Sequence, residues 1–250
     1  MAEKKEILKH IRCGLGDIAP YVIIPGDPGR VKRIVDQMDN AKKIAENREY
    51  VTYTGEYKGV RITVCSSGIG GPAASIAFEE LIKLGAKVFI RVGSAGGRQP
   101  KIPIGTPVVI NASYRGEGTS MVYLPAPFPA VASLDVTNAL VKAIENQNED
   151  YRVGIGFSRD AYYVQDQALN KELTDAGVMA AEQEASILFI VGSKRGVKTG
   201  AVVSTDSNIY LEKQPTLSEK EELFFVGERK CIKASLDACV LLSEKKAHEF

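Results

Sequence analysis

The 250-residue chain is predicted to fold as a single α/β domain, on three observations. Short β-rich runs alternate with segments of helical periodicity, which favours a sheet with covering helices. Apolar residues make up 44% of the chain, enough to bury a substantial core at this length. No Pro/Gly-rich linker, internal repeat or abrupt change of composition divides it, so the domain is expected to span residues 1–250.

The strand runs are Tyr21 to Ile24, Val60 to Val64, Val88 to Val92, Val108 to Ile110 and Lys198 to Val203. Between two of them, Ala74, Ala77, Phe78, Leu81 and Ile82 recur at helical spacing and Gly85 follows as a stop, a strand–turn–helix–strand unit. A long final helix is expected from Ser218 to Lys246, where Leu223, Phe224, Ile232, Leu236 and Leu241 form an apolar stripe for the core. Gly116-Glu117-Gly118 and the prolines 125, 127 and 129 read as a long surface loop.

Charge excludes whole classes of partner. Lys and Arg total 32 against 31 Asp and Glu, and a net charge of +1 gives no broad attraction to nucleic acid or to a membrane. The N-terminal residues are mixed and polar, and the longest strongly apolar run, Ile187 to Val191, is far too short to span a bilayer; a cytoplasmic protein with a small ligand is expected. Cys13, Cys65, Cys231 and Cys239 show no paired spacing, and Cys231 and Cys239 would lie about 12 Å apart along a helix, too far for a disulfide. With only His10 and His248, a transition-metal site is not expected.

Four clusters carry chemistry. The first, Ile24-Pro25-Gly26-Asp27-Pro28-Gly29-Arg30, is a glycine-containing turn between a strand and a helix start, where backbone N–H groups and Arg30 can receive an anion. It lacks the Gly-Lys-Ser/Thr of a Walker loop, and a structural βα turn explains it equally well. The second runs from Val88 to Gly97 and sets Arg91 inside an apolar strand with Ser94 near its end. A buried guanidinium needs either an acidic partner or an anionic ligand, and both remain open. No glycine run fits a dinucleotide fingerprint. The third is Glu182-Gln183-Glu184, two carboxylates able to accept hydrogen bonds from sugar hydroxyls, or an acidic start to the next helix. The fourth ends a strand with Asp206, either a general acid or a turn former.

In this order and spacing the clusters resemble the nucleoside phosphorylase family of hexameric purine nucleoside phosphorylases and uridine phosphorylases. The resemblance runs from His10 to at least Asn208 and takes in Asn47-Arg48-Glu49-Tyr50, Gly68-Ile69-Gly70-Gly71-Pro72 and Ser158-Arg159-Asp160-Ala161-Tyr162-Tyr163. It implies a mixed, barrel-like central sheet flanked by helices, and active sites shared across a subunit pair. Gly26, Arg30, Arg91 and Ser94 would bind phosphate, with Arg48 reaching over from the neighbouring subunit. His10 would meet the sugar's 5′-hydroxyl across the same interface, although by itself either His10 or Arg48 reads as a solvated surface residue. Glu184 would hold the ribose hydroxyls, Glu182 would lie near base and sugar, and Tyr162 would pack on the base. The chain departs from the family at Gln183, usually methionine, and at Ser67, often histidine, so the floor beneath the ribose is altered.

The resemblance implies phosphorolysis with inorganic phosphate as co-substrate, no cofactor and no metal. The assembly would be at least a dimer, with a hexamer as the family pattern. Asp206 matches the aspartate that protonates the leaving base in purine-specific relatives. The glutamine and arginine that follow the aromatic residue in uridine-specific relatives are not reproduced, since Tyr162-Tyr163-Val164-Gln165-Asp166-Gln167 holds no arginine. The expectation is therefore a purine nucleoside phosphorylase, with a uridine phosphorylase as alternative. A nucleosidase or a non-catalytic nucleoside-binding protein stand further off.

Overall fold

The computed structural model describes residues 6–246; His248 lies outside them. In chain order the elements are β1 (Tyr21–Pro25), α1 (Pro28–Val35), β2 (Asp39–Asn47), β3 (Tyr50–Tyr57), β4 (Val60–Cys65), α2 (Gly71–Lys83), β5 (Val88–Gly97), β6 (Pro107–Gly116) and α3 (Thr119–Tyr123). They continue as β7 (Ala130–Val131), α4 (Leu134–Glu145), β8 (Arg152–Arg159), α5 (Gln167–Asp175), β9 (Ala180–Glu182), α6 (Ala185–Arg195), β10 (Lys198–Asn208) and α7 (Leu217–Lys246).

All ten strands belong to one mixed sheet. Strands β5, β10, β6, β8 and β9 close into a ring: β5–β10, β6–β8 and β8–β9 pair parallel, β10–β6 and β9–β5 antiparallel. From β5 the sheet extends through β1, β4, β3 and β2. The barrel-like mixed sheet is thus present, flanked by helices on both faces. Alternation along the strands sends side chains to two cores. Val22, Phe89, Ala201 and Val203 pack with α2 and α6, whereas Ile23, Ile90, Val92 and Val202 pack with α1, α4 and α7.

Strand β5 is the fork of the sheet. One edge pairs with β1 as far as Val92 and then with β9 at Gly96 and Gly97; the other edge pairs with β10 throughout. On the first edge, Gly93, Ser94 and Ala95 have no ladder partner, so the sheet opens there, just where β1 gives way to Gly26. Openings of this kind at the carboxyl ends of parallel strands are where α/β folds collect ligands.

The five anticipated strands are all present, but β5, β6 and β10 continue past their apolar runs to Gly97, Gly116 and Asn208. Those extensions are polar or glycine-rich because they line an opening and not a core. Five strands, β2, β3, β7, β8 and β9, lie outside the anticipated runs. The β2–β3 hairpin begins with the largely exposed Asp39–Asn47, β8 mixes glycine with half-exposed residues, and β9 is three residues long. The segment from Gly116 to Pro129 is not a plain surface loop: Thr119–Tyr123 is helical and Glu117 is buried, accepting from Ser120 N–H (2.8 Å) and the Ser186 hydroxyl (2.7 Å). The loop wraps the buried Arg115, whose guanidinium donates to the carbonyls of Ser120, Leu124, Pro125 and Phe128. The four cysteines are buried and unbridged, and no helix among the described residues is long and apolar enough to cross a membrane.

The N-terminal segment is fastened by one carboxylate. Glu80 of α2 accepts from the backbone N–H of Ile11 (2.9 Å), from that of His10 and from His10 Nδ1 (2.6 Å), while Asn47 holds the His10 carbonyl (2.7 Å). Burial pushes the Glu80 carboxyl up, but these donors outweigh it and leave it below its ordinary value. A depressed carboxyl stabilises the fold fully above its unfolded value of about 4.3 and loses that contribution as pH falls through the lower folded value. Glu80→Gln is expected to cost about 1–3 kcal/mol in chemical denaturation at pH 7, the range for breaking a buried charged hydrogen-bond set. The difference from the parent should be full above the unfolded value of about 4.3 and shrink only as pH falls through the lower folded value, where the parent's own carboxyl becomes protonated.

Candidate active site

A cavity of about 950 Å³ opens at the fork of β5. Its first wall is the turn after β1. Asp27 caps α1, accepting from Gly29 N–H at 2.8 Å, and Pro28 occupies the first turn, where its missing N–H costs nothing. Burial opposes the Asp27 charge, but the Gly29 N–H and Arg33 hold its carboxyl below the ordinary range. Arg30, one turn into α1, is only 5% exposed. Its Nε donates to the buried Glu228 of α7, its Nη1 donates to the Val92 carbonyl at 3.1 Å, and its guanidinium lies 5.8 Å from the Phe224 ring centre. Glu228 also takes Arg33 Nε at 2.7 Å, so α7 holds both arginines against α1.

Arg91 forms the floor. It is 4% exposed inside β5; its Nε donates to Glu182 at 2.9 Å and its Nη2 to Glu184 at 2.5 Å. Burial works against the guanidinium charge, but the two carboxylates more than compensate and raise its proton affinity. The remaining nitrogen, Nη1, is buried without a hydrogen-bond partner. A Cβ added to Gly26 would come 3.8 Å from that same Nη1, which places the free donor beside the turn after β1. A Cβ at Gly93 would fall 2.7 Å from Arg91 Nη2, so the guanidinium can lie back along its strand only over a glycine.

The acidic helix-start reading of the glutamate pair is realised, and both carboxylates also pair with Arg91. Glu182, at the end of β9, accepts from the backbone N–H groups of Glu184 and Ala185 (2.8 Å each) and so caps α6 while clamping Arg91. Glu184 occupies the N-cap position without capping; its second oxygen takes the N–H of Gly70, at the start of α2, at 2.6 Å. Burial and the neighbouring Glu182 raise the Glu184 carboxyl, against Arg91 and that N–H. One carboxylate thus ties β5, α2 and α6 together at the cavity wall.

The far end is lined by Arg98, Arg159, Tyr162, Gln165, Gln167 and Asp206. Arg159 lies 5.5 Å from the Tyr162 ring centre, and Gln165 donates to the Tyr162 carbonyl at 2.7 Å. Asp206 accepts from the Ser207 hydroxyl at 2.7 Å.

Of the residues singled out from sequence, Gly26, Arg30, Arg91, Ser94, Tyr162, Glu182, Gln183, Glu184 and Asp206 all line this one cavity. His10 and Arg48 do not: His10 is held by Glu80, and Arg48 sits exposed in the β2–β3 turn with φ of 55°. Sequence reading missed Arg98, Arg159 and Glu228. Arg98 directly follows the Gly96-Gly97 strand end, a cation next to a recognised cluster, and that was the available signal. Glu228, 198 residues from Arg30, left none.

The cavity thus combines the turn after β1, a guanidinium with one unpartnered nitrogen and a carboxylate beside it. Residues 20–240 match the phosphorylase superfamily. The chain is 41% identical over 241 residues to a uridine phosphorylase of Thermococcus kodakarensis, covering 91% of this chain and 87% of that one. It is 37% identical over 214 residues to a guanosine phosphorylase of Halorubrum lacusprofundi, covering 86% and 89%. The solved structure of a uridine phosphorylase from Vibrio fischeri superposes with a TM-score of 0.89 at 36% identity, covering 95% and 99%. The chain therefore belongs to the nucleoside phosphorylases of the phosphorylase superfamily. It is an enzyme of the pentosyltransferase kind.

The comparisons overturn the purine expectation, because similar proteins are mostly named uridine phosphorylases. The physical reason lies at the far end of the cavity. Asp206 accepts from the Ser207 hydroxyl, and the amide and guanidinium side chains of Arg98, Arg159, Gln165 and Gln167 line the same cavity. No arginine closely follows Tyr162, but Arg98 and Arg159 line the same cavity from the ends of β5 and β8.

Gly93→Ala is expected to displace the Arg91 guanidinium. Phosphate KM should rise roughly 10–100-fold, the equivalent of one or two charge-assisted hydrogen bonds, with a smaller change in nucleoside KM. Equal changes in both constants would show that Arg91 acts only as part of the buried ion-pair cluster.

Proposed function

We propose that this protein is a uridine phosphorylase, cleaving the N-glycosidic bond of uridine with inorganic phosphate to give uracil and ribose 1-phosphate. The observation that carries the phosphorolytic part is Arg91 Nη1, a buried donor without a partner beside Gly26. An unpaired buried cationic N–H is costly, and an anion in the turn after β1 would satisfy it. Gly26, Arg30, Arg91 and Ser94 would cradle the phosphate, Glu184 would accept from the ribose hydroxyls with Glu182 beside it, and Tyr162 would pack on the base. Gln183, half-buried between the glutamates, lines the sugar end.

The chemistry is charge placement. As the bond from C1′ to the base nitrogen breaks, its electron pair leaves with the base and positive charge develops on the sugar. Phosphate held beneath that face is both counter-charge and nucleophile, and its oxygen forms the new bond to C1′. No cofactor is required. The identity of the base rests on the donor-rich far end and on the uridine phosphorylases among the similar proteins.

The assembly would be at least a dimer. Arg48 and His10 lie outside their own cavity, in segments joined by the Asn47 amide on the His10 carbonyl, and would complete a neighbour's site. The four buried free thiols suit a reducing compartment, and the cytoplasm is the location proposed.

The deciding measurement is release of free base from uridine, inosine, guanosine and adenosine, each with and without phosphate. Uracil should appear from uridine only when phosphate is present and should outpace the purines. Faster release from guanosine, or cleavage in phosphate-free buffer, would overturn the reading. For the shared site, Arg48→Ala and Arg91→Ala proteins, each weakly active alone, should regain activity when unfolded together and co-refolded. No regain would place Arg48 outside the partner's site.

A further inference from the structure

Two glycines let α7 lie backbone to backbone against the loop before β6. Gly105 has φ of 83°, and a Cβ on it would overlap the Leu223 carbonyl; a Cβ on Gly227 would overlap the Gly105 carbonyl and the Ser204 hydroxyl. In the same contact the Ser204 hydroxyl donates to the Phe224 carbonyl at 3.2 Å. Glycine is unfavourable inside a helix, so its presence in α7 needs a reason, and close approach is the one the structure shows. Gly227 and the next residue, Glu228, are the first buried residues of α7. The approach therefore brings a carboxylate, 1% exposed, against the guanidinium of Arg30.

Arg30 gives Nε to Glu228 and Nη1 to the Val92 carbonyl at 3.1 Å, with the Phe224 ring centre 5.8 Å away. Its Nη2 has no hydrogen bond among the described residues, and Arg30 lines the cavity. A guanidinium is a rigid planar fork, so holding two of its nitrogens fixes the direction of the third. The charges around it balance in number: Arg30 and Arg33 are bound by Glu228 and Asp27. We propose that Glu228, seated by Gly227, is a positioning residue of the phosphate site: it aims Arg30 Nη2 at the anion, and phosphate is gripped there by a directed donor and not by surplus positive charge. This rests on the phosphorolytic part of the proposed function. A donor already aimed loses little freedom when the anion arrives, whereas a free arginine side chain must be ordered first.

The test compares the parent with Glu228→Gln, Glu228→Ala, Gly227→Ala and Arg33→Lys, measuring phosphate KM and uridine KM separately, and the binding of inorganic phosphate alone by calorimetry. Glu228→Gln keeps an acceptor for Arg30 Nε but adds one positive charge to the site. A count of charges demands tighter phosphate binding in that variant; the positioning role demands weaker. Glu228→Ala should raise phosphate KM about 10-fold, the equivalent of one charge-assisted hydrogen bond, with Glu228→Gln between it and the parent. Uridine KM should stay unchanged in both. Gly227→Ala, which pushes α7 away, should raise phosphate KM in the same way. Arg33→Lys breaks the other half of the tie between α1 and α7, so it should lower the unfolding temperature and leave phosphate KM unchanged. In an Arg30→Met background, Glu228→Gln should have no further effect on phosphate binding. Tighter or unaltered phosphate binding in Glu228→Gln, equal changes in both KM values, or an undiminished effect in the Arg30→Met background would overturn the proposal. Should Glu228→Ala fail to fold, Glu228→Gln and Gly227→Ala carry the test. A parent that binds phosphate as tightly as its Glu228 variants rejects the positioning role alone, whereas a parent that binds no phosphate and cleaves uridine without it rejects the phosphorolytic reading as well.

Discussion

A buried arginine in the middle of the longest-paired strand is the constraint around which the rest of the site is arranged. Arg91 cannot be desolvated alone, so the chain brings Glu182 from the end of β9 and Glu184 from the start of α6 to two of its nitrogens. Those carboxylates are themselves fixed, Glu182 by the first N–H groups of α6 and Glu184 by the N–H of Gly70. The same contacts that neutralise Arg91 therefore set the positions of α2 and α6 against the sheet. The guanidinium is left with one donor uncommitted, and its direction is fixed because the other two are not.

The sheet supplies the space that this donor faces. Because β5 exchanges β1 for β9 along one edge, three of its residues have no ladder partner there, and the turn after β1 fits into the opening. Ring closure through β10, β6 and β8 brings the polar ends of four strands to the same side, with Ser94, Arg159, Glu182 and Asp206 on one cavity. Arg30 enters from α1 and is held by Glu228 of α7, so the C-terminal helix, remote in sequence, orients a group of the pocket. Cavity, ion pairs and topology form one device: a fixed arginine–glutamate floor beneath a cavity lined by different side chains at its two ends.

The two ends were not equally legible in the sequence. At the floor, the local patterns Gly26 to Arg30, Arg91 to Ser94 and Glu182 to Glu184 each stand after a strand or before a helix, and they meet in space as their order suggested. At the far end the sequence was misleading. An aspartate near the end of β10 suggested purines, and the lack of an arginine after Tyr162 argued against uridine. Yet Arg98 and Arg159 reach that end from strands that ring closure brings together. A side chain's neighbours across a closed sheet bear no relation to its neighbours along the chain.

By itself the sequence determined the α/β class, the five apolar strands, α2, α7 and the polar clusters at the strand ends, because apolar periodicity and glycine or proline punctuation are local properties of the chain. Only the tertiary structure decided which acid pairs with which arginine, where the sheet forks, and which side chains line the cavity. Those depend on strand register and on pairing between residues up to 198 positions apart, for example Arg30 with Glu228, and no local pattern encodes them. The strands that escaped notice, β2, β3, β7, β8 and β9, did so for the same reason: they are short, exposed or glycine-containing and are held by pairing with neighbouring strands.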